Sequence, residues 1–257
     1  MNLYEAIFTR KTIRQFTSEE VSPEELEGIQ KHFDQLPGLF SNIHTEMQIL
    51  KSSDKASRII PFSGGKAPYH LIFYSEEAPR YQMNIGYLMQ HMVLYLCTIG
   101  LGSCYLNTSV IRKDYRQSGT GRKAVGIIGF GHSKETHMRK FSDAKRLDLD
   151  ELCVFKEIPR QWVRQLLEAA RLAPSVANAQ PWRFVVYDNR IHIFTKKHQV
   201  ERFARYTLEE QNFGGMLAHI LIAAEELWVD VDLIRLENIS QKNFPNNQYV
   251  LSAIMRN

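Results

Sequence analysis

Features that staple a small fold or hold a metal are scarce in this chain. Its 257 residues include only three cysteines, Cys97, Cys104 and Cys153. This odd number, with no CxxC pair, argues against a disulfide framework and against a structural zinc site. The nine histidines show no HExxH or comparable ligand spacing, so no metal site is predicted. The cysteine usage favours a reducing, cytoplasmic setting.

Long apolar runs and a large excess of one charge are also missing. The N-terminal MNLYEAIFTRKTIR lacks the apolar core of a secretory signal peptide. The longest apolar run, near Ile220, is interrupted by Glu225 and Glu226 and is too short to span a bilayer. The formal net charge of +4 fits a small anionic ligand better than a nucleic-acid surface. We therefore expect neither a membrane nor a nucleic-acid partner.

The composition is otherwise that of an ordinary globular protein. The order of the predicted helices and strands repeats along the chain. After a short opening helix, the first predicted set is a capped helix beginning at Ser22 (SPEELEGIQKHF), two strands (HTEMQIL and YHLIFYS) joined by SGGKAP, a long buried helix (MNIGYLMQHMVLYLCTIGLGS) and a strand (AVGIIGFGH). The second set is a helix with an early Pro159 (IPRQWVRQLLEAARLAPS), a hairpin (RFVVYDNRIHIFT), a long helix (NFGGMLAHILIAAEELWVDVDL) and a final strand (QKNFPNNQYVLSAIMRN). This order predicts a degenerate internal duplication, with halves at 1–155 and 156–257.

A basic cluster follows the opening helix. Arg10, Lys11, Thr12 and Arg14 offer several cationic donors and one hydroxyl within five residues. If the run is extended, Arg10, Thr12 and Arg14 project to one side and Ile13 to the other. Charge-assisted hydrogen bonds to phosphate are about twice as strong as neutral ones, so the cluster suits a phosphate monoester. The alternative is a solvated helix end with cations near the negative pole.

The second half carries a constrained polar loop, APSVANAQPW, at 173–182. Pro174 disfavours helix at Ala173, and Pro181 is expected to make Gln180 extended. Ser175, Asn178 and Gln180 are then polar side chains on a loop that can bind a flat heterocycle at little ordering cost. The alternative is simply a helix stop followed by a strand start.

Two further segments have weaker signals. GLGSCYLN, at 100–107, has glycines after a buried helix, which allow the backbone to turn and approach a ligand closely. The basic run that contains Arg139, Lys140, Lys145 and Arg146 is typical of a solvated loop, although two of its members could complete a phosphate pocket. GTGRKA lacks the spacing of a P-loop.

Taken together, these motifs resemble those of the FMN-dependent nitroreductase family. APSVANAQPW resembles that family's Ala-Pro-Ser-x-x-Asn-x-Gln-Pro-Trp motif, RKTIR its Arg-Arg-Ser-x-Arg phosphate motif, and GLGSCYLN its Gly-Leu-Gly-Ser-Cys-Trp-Ile-Gly segment. The pair Lys145–Arg146 before LDLDEL is similar to the basic pair before the family's C-terminal Leu-Asp-Glu. Tyr105 stands where many relatives have Trp. The resemblance implies an α+β fold in which a mixed, mainly antiparallel sheet is flanked by helices.

The distribution of these motifs departs from that of ordinary family members, which are homodimers holding two flavins between their subunits. The first half has the basic motif and the glycine turn, but only LPGLFSN where the Pro-Ser loop should be. The second half keeps the Pro-Ser loop, begins at Ile158 without a basic motif, and lacks the Gly-Leu-Gly turn. The resemblance therefore implies a monomer, an intramolecular pseudo-dimer with one FMN.

The resemblance also assigns residues to that cofactor. Arg10, Lys11, Thr12 and Arg14, with Lys145 and Arg146, would hold the phosphate. Pro174, Ser175 and Asn178 would contact the flavin and its ribityl chain. Tyr105 would also be a cofactor-binding residue, and the adjacent Leu106 and Asn107 would supply main chain near the reactive ring edge. The flavin carries the chemistry, so no catalytic side chain is expected.

The implied activity is reduction of nitroaromatic, quinone or similar electron-poor acceptors by NADH or NADPH through FMN, with a small-molecule acceptor as the only partner. One alternative is a flavin-binding storage or sensor protein without turnover. A second alternative is a basic RNA-binding module, whose affinity for nucleic acid would collapse as the salt concentration rises.

Overall fold

The computed structural model describes residues 1–53, 67–111, 113, 116–196 and 203–256, and within 203–208 it describes the backbone alone. Most of the predicted SGGKAP loop thus lies outside the described residues. The chain divides into two compact units, Met1–Asp143 and Ala144–Asn257. Residues 144–155 therefore belong to the second unit. The predicted halves, 1–155 and 156–257, concern the ancestry of the chain and stay a prediction. No helix in the described ranges is long and apolar enough to cross a bilayer.

In its described part, the first unit contains a four-stranded antiparallel sheet and three α-helices. Its sheet order is β1-β2-β4-β3. In chain order the elements are α1 Leu3–Thr9, α2 Pro23–Gln35, β1 Thr45–Lys51, β2 Tyr69–Ser75, α3 Tyr81–Thr98, β3 Gly102–Leu106 and β4 Lys123–Gly131. The predicted capping box of α2 is confirmed: the Glu25 N–H donates to Ser22 Oγ (3.2 Å), and the Ser22 N–H donates to Glu25 Oε2 (2.9 Å). Helix α3, buried at every residue from Gln82 to Leu94, packs against β3 and β4.

The second unit has a five-stranded sheet of order β5-β6-β7-β9-β8, in which only β5 and β6 are parallel. Its elements are α4 Leu149–Leu152, β5 Cys153–Phe155, α5 Gln161–Arg171, β6 Trp182–Val186, β7 Arg190–Lys196, α6 Phe203–Glu226, β8 Asp230–Ile234, α7 Glu237–Ser240 and β9 Asn247–Arg256. The predicted hairpin is confirmed as β6 and β7. Helix α5 begins after Arg160, which makes no side-chain cap, so Pro159 precedes the helix instead of lying in its first turn as Pro23 does in α2.

The two sheets share one topology. Each unit contains a helix, two strands, a long helix and two more strands, and the four strands are ordered first, second, fourth, third in both sheets. The second unit adds α4, β5 and α7 to this pattern. The register also agrees: β3 begins pairing at Gly102 with Gly131, and β8 at Asp230 with Arg256.

Both sheets carry a β-bulge at the matching place. In β4 the bulged residue is Val125, six residues before Gly131, and in β9 it is Val250, six residues before Arg256. A bulge places one extra residue opposite its partner strand and increases the local twist. The same irregularity at the same register position supports the idea that the sheets are related.

The two long helices end in the same turn. After α3, the Gly100 N–H donates to Cys97 O (3.2 Å) and the Leu101 N–H to Leu96 O (2.9 Å); after α6, the Trp228 N–H donates to Glu225 O (3.2 Å) and the Val229 N–H to Ala224 O (2.9 Å). This is the Schellman arrangement, which needs a left-handed residue. Gly100 has φ 87° and Trp228 has φ 56°. The second unit thus forms the same kind of turn without a glycine.

Candidate functional site

The basic segment 10–14 lies extended beside the edge strand of the first sheet. Helix α1 ends where the Arg10 N–H donates to Ala6 O (2.9 Å). From there Arg10 forms an antiparallel bridge with Met138, and Thr12 a parallel bridge with Ser103 of β3. The Ile13 N–H donates to Ser103 O (2.9 Å), and the Ile13 side chain is fully buried. The segment is therefore extended, which is the condition under which the sequence predicts Arg10, Thr12 and Arg14 on one side.

The side chains of this segment differ from the predicted pattern at Arg10. Thr12 and Arg14 are exposed, but Arg10 points inward and is only 6% exposed. Burial lowers the pKa of its guanidinium, against the smaller, opposite influences of Tyr105 and Cys97. Its Nε has no hydrogen-bond partner in the described part of the chain. A buried cationic donor without an acceptor is costly, so the geometry fits an anionic ligand at this point.

Lys11 lies beside a carboxylate in this unit. Its Nζ is 2.9 Å from Glu135 Oε2, and both groups are partly exposed. The Lys11 N–H also donates to His137 O (3.2 Å), which ties the basic segment to the 132–138 stretch after β4. An exposed ion pair of this kind contributes about 0–1 kcal/mol to stability, so Lys11 can exchange Glu135 for a phosphate at little cost.

A glycine allows the basic segment to approach β3. A Cβ built on Gly102 would lie 2.8–2.9 Å from Cγ1, Cβ and Cγ2 of Ile13. These atoms belong to the buried base of a β-branched side chain and have little freedom to move. Gly102 is therefore required by the packing of the segment, a role that the turn-based interpretation of GLGSCYLN missed.

The end of β3 presents both main chain and polar side chains. The Tyr105 ring is 37% exposed while its hydroxyl donates inward to Gln90 Oε1 (2.6 Å), and burial raises the pKa of that hydroxyl. Leu106 is half-buried. Asn107 caps the short 3-10 turn at 108–110, because its Oδ1 accepts the Ser109 N–H (2.8 Å). Tyr105 and Leu106 are thus the last two residues of the edge strand that also pairs with the basic segment, and Asn107 follows directly after them.

In the second unit, the polar loop 174–181 adopts an unusual backbone. Ala177, Asn178 and Gln180 have φ values of 52°, 55° and 45°. Left-handed conformations are uncommon for residues other than glycine, and a run of them persists only where the surroundings enforce it. The expectation that Pro181 makes Gln180 extended is wrong.

Hydrogen bonds to the 145–147 segment enforce this conformation. The buried Gln180 accepts the Leu147 N–H at Oε1 (2.8 Å), donates from Nε2 to Asn178 O (3.2 Å), and its own N–H donates to Ser175 Oγ (2.9 Å). Asn178 accepts from Arg146 Nη1 (2.8 Å) and donates to Lys145 O (3.0 Å). Arg146 also donates to Ala173 O (3.2 Å), at the end of α5. The loop and the basic pair therefore form one preorganised element.

The predicted site residues thus fall into two groups, one in each unit. Arg10, Lys11, Thr12 and Arg14 lie along β3 with Tyr105, Leu106 and Asn107, and Lys145 and Arg146 are hydrogen-bonded to the loop that holds Pro174, Ser175 and Asn178. Arg146 binds the loop itself, while the Lys145 side chain is exposed. The anchoring role of Gln180 was not foreseen, because it depends on a main-chain donor 33 residues earlier. Within the described ranges, no cluster of His, Cys, Asp and Glu could hold a metal.

Several solved structures that share this fold have names that describe them as nitroreductases. A "putative nitroreductase" of Thermotoga maritima has a TM-score of 0.64 and 19% identity, covering 99% of this chain and 94% of its own. A "putative nitroreductase in complex with FMN", from Desulfovibrio desulfuricans, has a TM-score of 0.50 and 18% identity, covering 62% of this chain and 99% of its own. A nitroreductase family protein of Clostridium difficile also has a TM-score of 0.50, with 15% identity and coverages of 62% and 100%.

No curated protein sequence matches the chain. Residues 2–223 match the profile of the family described as "Putative TM nitroreductase". This match extends over both groups of site residues and most of both units. The chain therefore belongs to that nitroreductase family.

Proposed function

We propose that the protein is an FMN-dependent oxidoreductase that takes electrons from NADH or NADPH and passes them to electron-poor acceptors such as nitroaromatics and quinones. Membership of the family supports this activity, and the Desulfovibrio relative binds FMN. The observation that carries the proposal is the buried Arg10 guanidinium, whose Nε has no acceptor in the described part of the chain. A phosphate monoester supplies such an acceptor and also neutralises the buried charge.

The first unit would bind the charged end of the cofactor. Arg10 donates from inside the fold, while Arg14 and the Thr12 hydroxyl donate from the exposed side of the same segment. The main chain of Leu106 and Asn107 follows directly along β3 and would lie at the flavin ring. FMN supplies the hydride and electron transfer when bound, and the protein orients it and excludes water.

The loop of the second unit would contact the flavin and its ribityl chain, an assignment that rests on the motif. Its left-handed residues and internal hydrogen bonds support a binding role, because a ligand meets a loop that is already ordered. Arg146 then acts through Asn178 and the end of α5 as a positioning residue. Lys145, whose side chain is exposed, is the member of the basic pair left to meet a phosphate.

We further propose that the two units arose by duplication and that the chain binds a single FMN. Their shared strand order, their matched bulges and their matched helix ends support duplication. At the register position of Gly102, the second unit has Asp230, and its sequence contains no counterpart of the basic segment. The second unit therefore lacks both a segment that would bind a phosphate and the glycine that would let such a segment approach the strand.

The test combines cofactor content with turnover. We expect the purified protein to bind one FMN per chain by absorbance, and the bound flavin to bleach within minutes when NADH is added without oxygen. Arg14→Ala should weaken FMN binding on the order of tenfold or more, because a charge-assisted contact is lost. Lys134→Ala, another exposed cation of the first unit, is the matched control. Bound flavin that stays oxidised with both NADH and NADPH would indicate storage or sensing, and equal FMN affinity of both variants would contradict the phosphate assignment.

A further inference from the structure

A polar pocket lies at the end of β3, in the first unit. It has a volume of about 240 Å³ and is lined by Asn107, Thr108, Ser109, Arg116 and Ala124. Among the lining residues that the structure describes, four are polar, one of these is the cationic Arg116, and none is anionic. A volume of this size is below the roughly 300–1,000 Å³ of pockets for whole drug-sized ligands. It therefore has room for one charged group and the atoms next to it.

The arginine of this pocket is held in place from both sides. Its Nε donates to Ile111 O (3.2 Å), its N–H donates to Lys113 O (3.2 Å), and its carbonyl accepts the Ala124 N–H (2.8 Å). Since Nε is already used, the two terminal nitrogens of Arg116 are the donors that remain. No carboxylate of the described residues forms an ion pair with them. Nearby Arg122 differs, because it pairs with Glu46.

The place of the pocket links it to the proposed reaction. Asn107 is one of the lining residues, and its main chain is assigned above to the reactive edge of the flavin. A substrate that stacks there can extend a substituent toward Arg116. The Arg116 guanidinium is planar, and its two terminal nitrogens remain available as donors. Because Thr108 and Ser109, which carry hydroxyl groups, line the same pocket, the residues suit a carboxylate or a phosphate.

We infer that this pocket binds the anionic group of a substrate, and that a carboxylate or phosphate on the acceptor or on the nicotinamide donor is recognised by Arg116. The inference rests on the proposed function for its position beside the flavin. The binding of an anion by Arg116 can be measured without any turnover. An acceptor with a carboxylate beside its nitro-bearing ring and a donor with a pyrophosphate share the required chemistry.

The acceptor is tested with two compounds of the same shape. FMN-loaded protein is assayed with 4-nitrobenzoate and with neutral 4-nitrobenzamide, as wild type, Arg116→Gln and Arg116→Lys. If the acceptor supplies the anion, Arg116→Gln should lower kcat/KM for 4-nitrobenzoate on the order of tenfold, the loss of one charge-assisted contact. The kcat/KM for 4-nitrobenzamide should not change. Arg116→Lys should have a kcat/KM for 4-nitrobenzoate between those of wild type and Arg116→Gln. Arg164→Gln, an exposed arginine of the second unit, is the control.

The donor is tested in the other half-reaction. Anaerobic reduction of the bound flavin is followed with NADH and with 1-benzyl-1,4-dihydronicotinamide, which has no phosphate. A rate loss in Arg116→Gln that is confined to NADH assigns the anion to the donor, whereas a loss confined to 4-nitrobenzoate assigns it to the acceptor. Either result supports the inference, and unchanged selectivity in both assays overturns it.

A binding measurement separates this inference from the proposed function. Calorimetric titration of the purified full chain with benzoate and with pyrophosphate should show at least about tenfold weaker binding of one of them to Arg116→Gln. If the protein binds no flavin but this difference is found, the proposed function fails and the anion site stands. If FMN turns over normally and neither anion distinguishes the variant, the anion site is overturned and the proposed function stands.

Discussion

Gly102→Ala is the substitution for which the structure makes the most direct prediction. The added methyl carbon would lie 2.8–2.9 Å from three atoms of Ile13, closer than carbon atoms pack. Because the contacted atoms are the base of a fully buried side chain, the basic segment itself has to move away from β3. Overpacking of a well-filled core costs about 1–3 kcal/mol. We expect this loss of unfolding free energy, together with weaker FMN binding.

The assay is urea unfolding of flavin-free protein, with FMN affinity measured separately by fluorescence. Gly119→Ala is the matched control, since no described residue beyond its two chain neighbours lies within 4 Å of its new methyl group and its φ is not in the left-handed region. This control should change stability by no more than about 0.5 kcal/mol. In the double variant with Ile13→Ala, two of the three crowded atoms are gone, so the two substitutions should cost less together than the sum of their separate effects.

Two results would refute this reasoning. If Gly102→Ala is as stable as Gly119→Ala, the contact is not tight in solution. If it is destabilised but strictly additive with Ile13→Ala, the loss comes from some other part of β3. A loss of stability with unchanged FMN affinity would separate the packing argument, which survives, from the assignment of segment 10–14 to the cofactor, which would not.

Three further predictions concern other parts of the fold. Trp228→Gly should raise the unfolding free energy by about 1 kcal/mol, because the 95% exposed Trp228 side chain contributes no packing and glycine adopts the left-handed backbone without strain. Gly100→Ala, at the matching turn, should lower the unfolding free energy. Equal melting temperatures for the two variants would contradict this prediction. Burial lowers the pKa of His70 to about 4, so on acidification the unfolded chain binds a proton at His70 before the folded chain does. The unfolding free energy should therefore fall by about 3 kcal/mol as pH drops from 6.5 to 4. Urea titrations across that range should show a smaller fall for His70→Gln, and the same dependence of stability on pH in both proteins would refute this role of His70. Gln180→Ala should accelerate amide hydrogen exchange at Leu147, whose N–H loses its 2.8 Å acceptor, while exchange within β9 stays the same.

Local signals made much of the fold predictable from the sequence. The capping box of Ser22 and Glu25 involves residues three apart, so its geometry follows from the pattern itself. The strands and the hairpin of the second unit also follow from short-range alternation and turn residues. These elements need no knowledge of distant contacts.

The errors arose where distant contacts override local preference. Gln180 precedes a proline, which favours extended backbone, but the hydrogen bonds to Leu147 and Ser175 hold it left-handed. Arg10 was expected on the same side as Arg14. Its main chain instead forms a bridge with Met138, and its side chain is buried. Trp228 occupies a turn that favours glycine, so the retained helix end could not be recognised from composition.

Arg10 also bears on how long each molecule of the protein survives. Its guanidinium is enclosed only when the first unit is folded, so an anion that meets it binds the folded chain and ignores the unfolded one. Such a ligand protects the chain from proteolysis in proportion to its own free concentration. The abundance of the protein in a cell should therefore rise and fall with the supply of whichever phosphate compound fills that position.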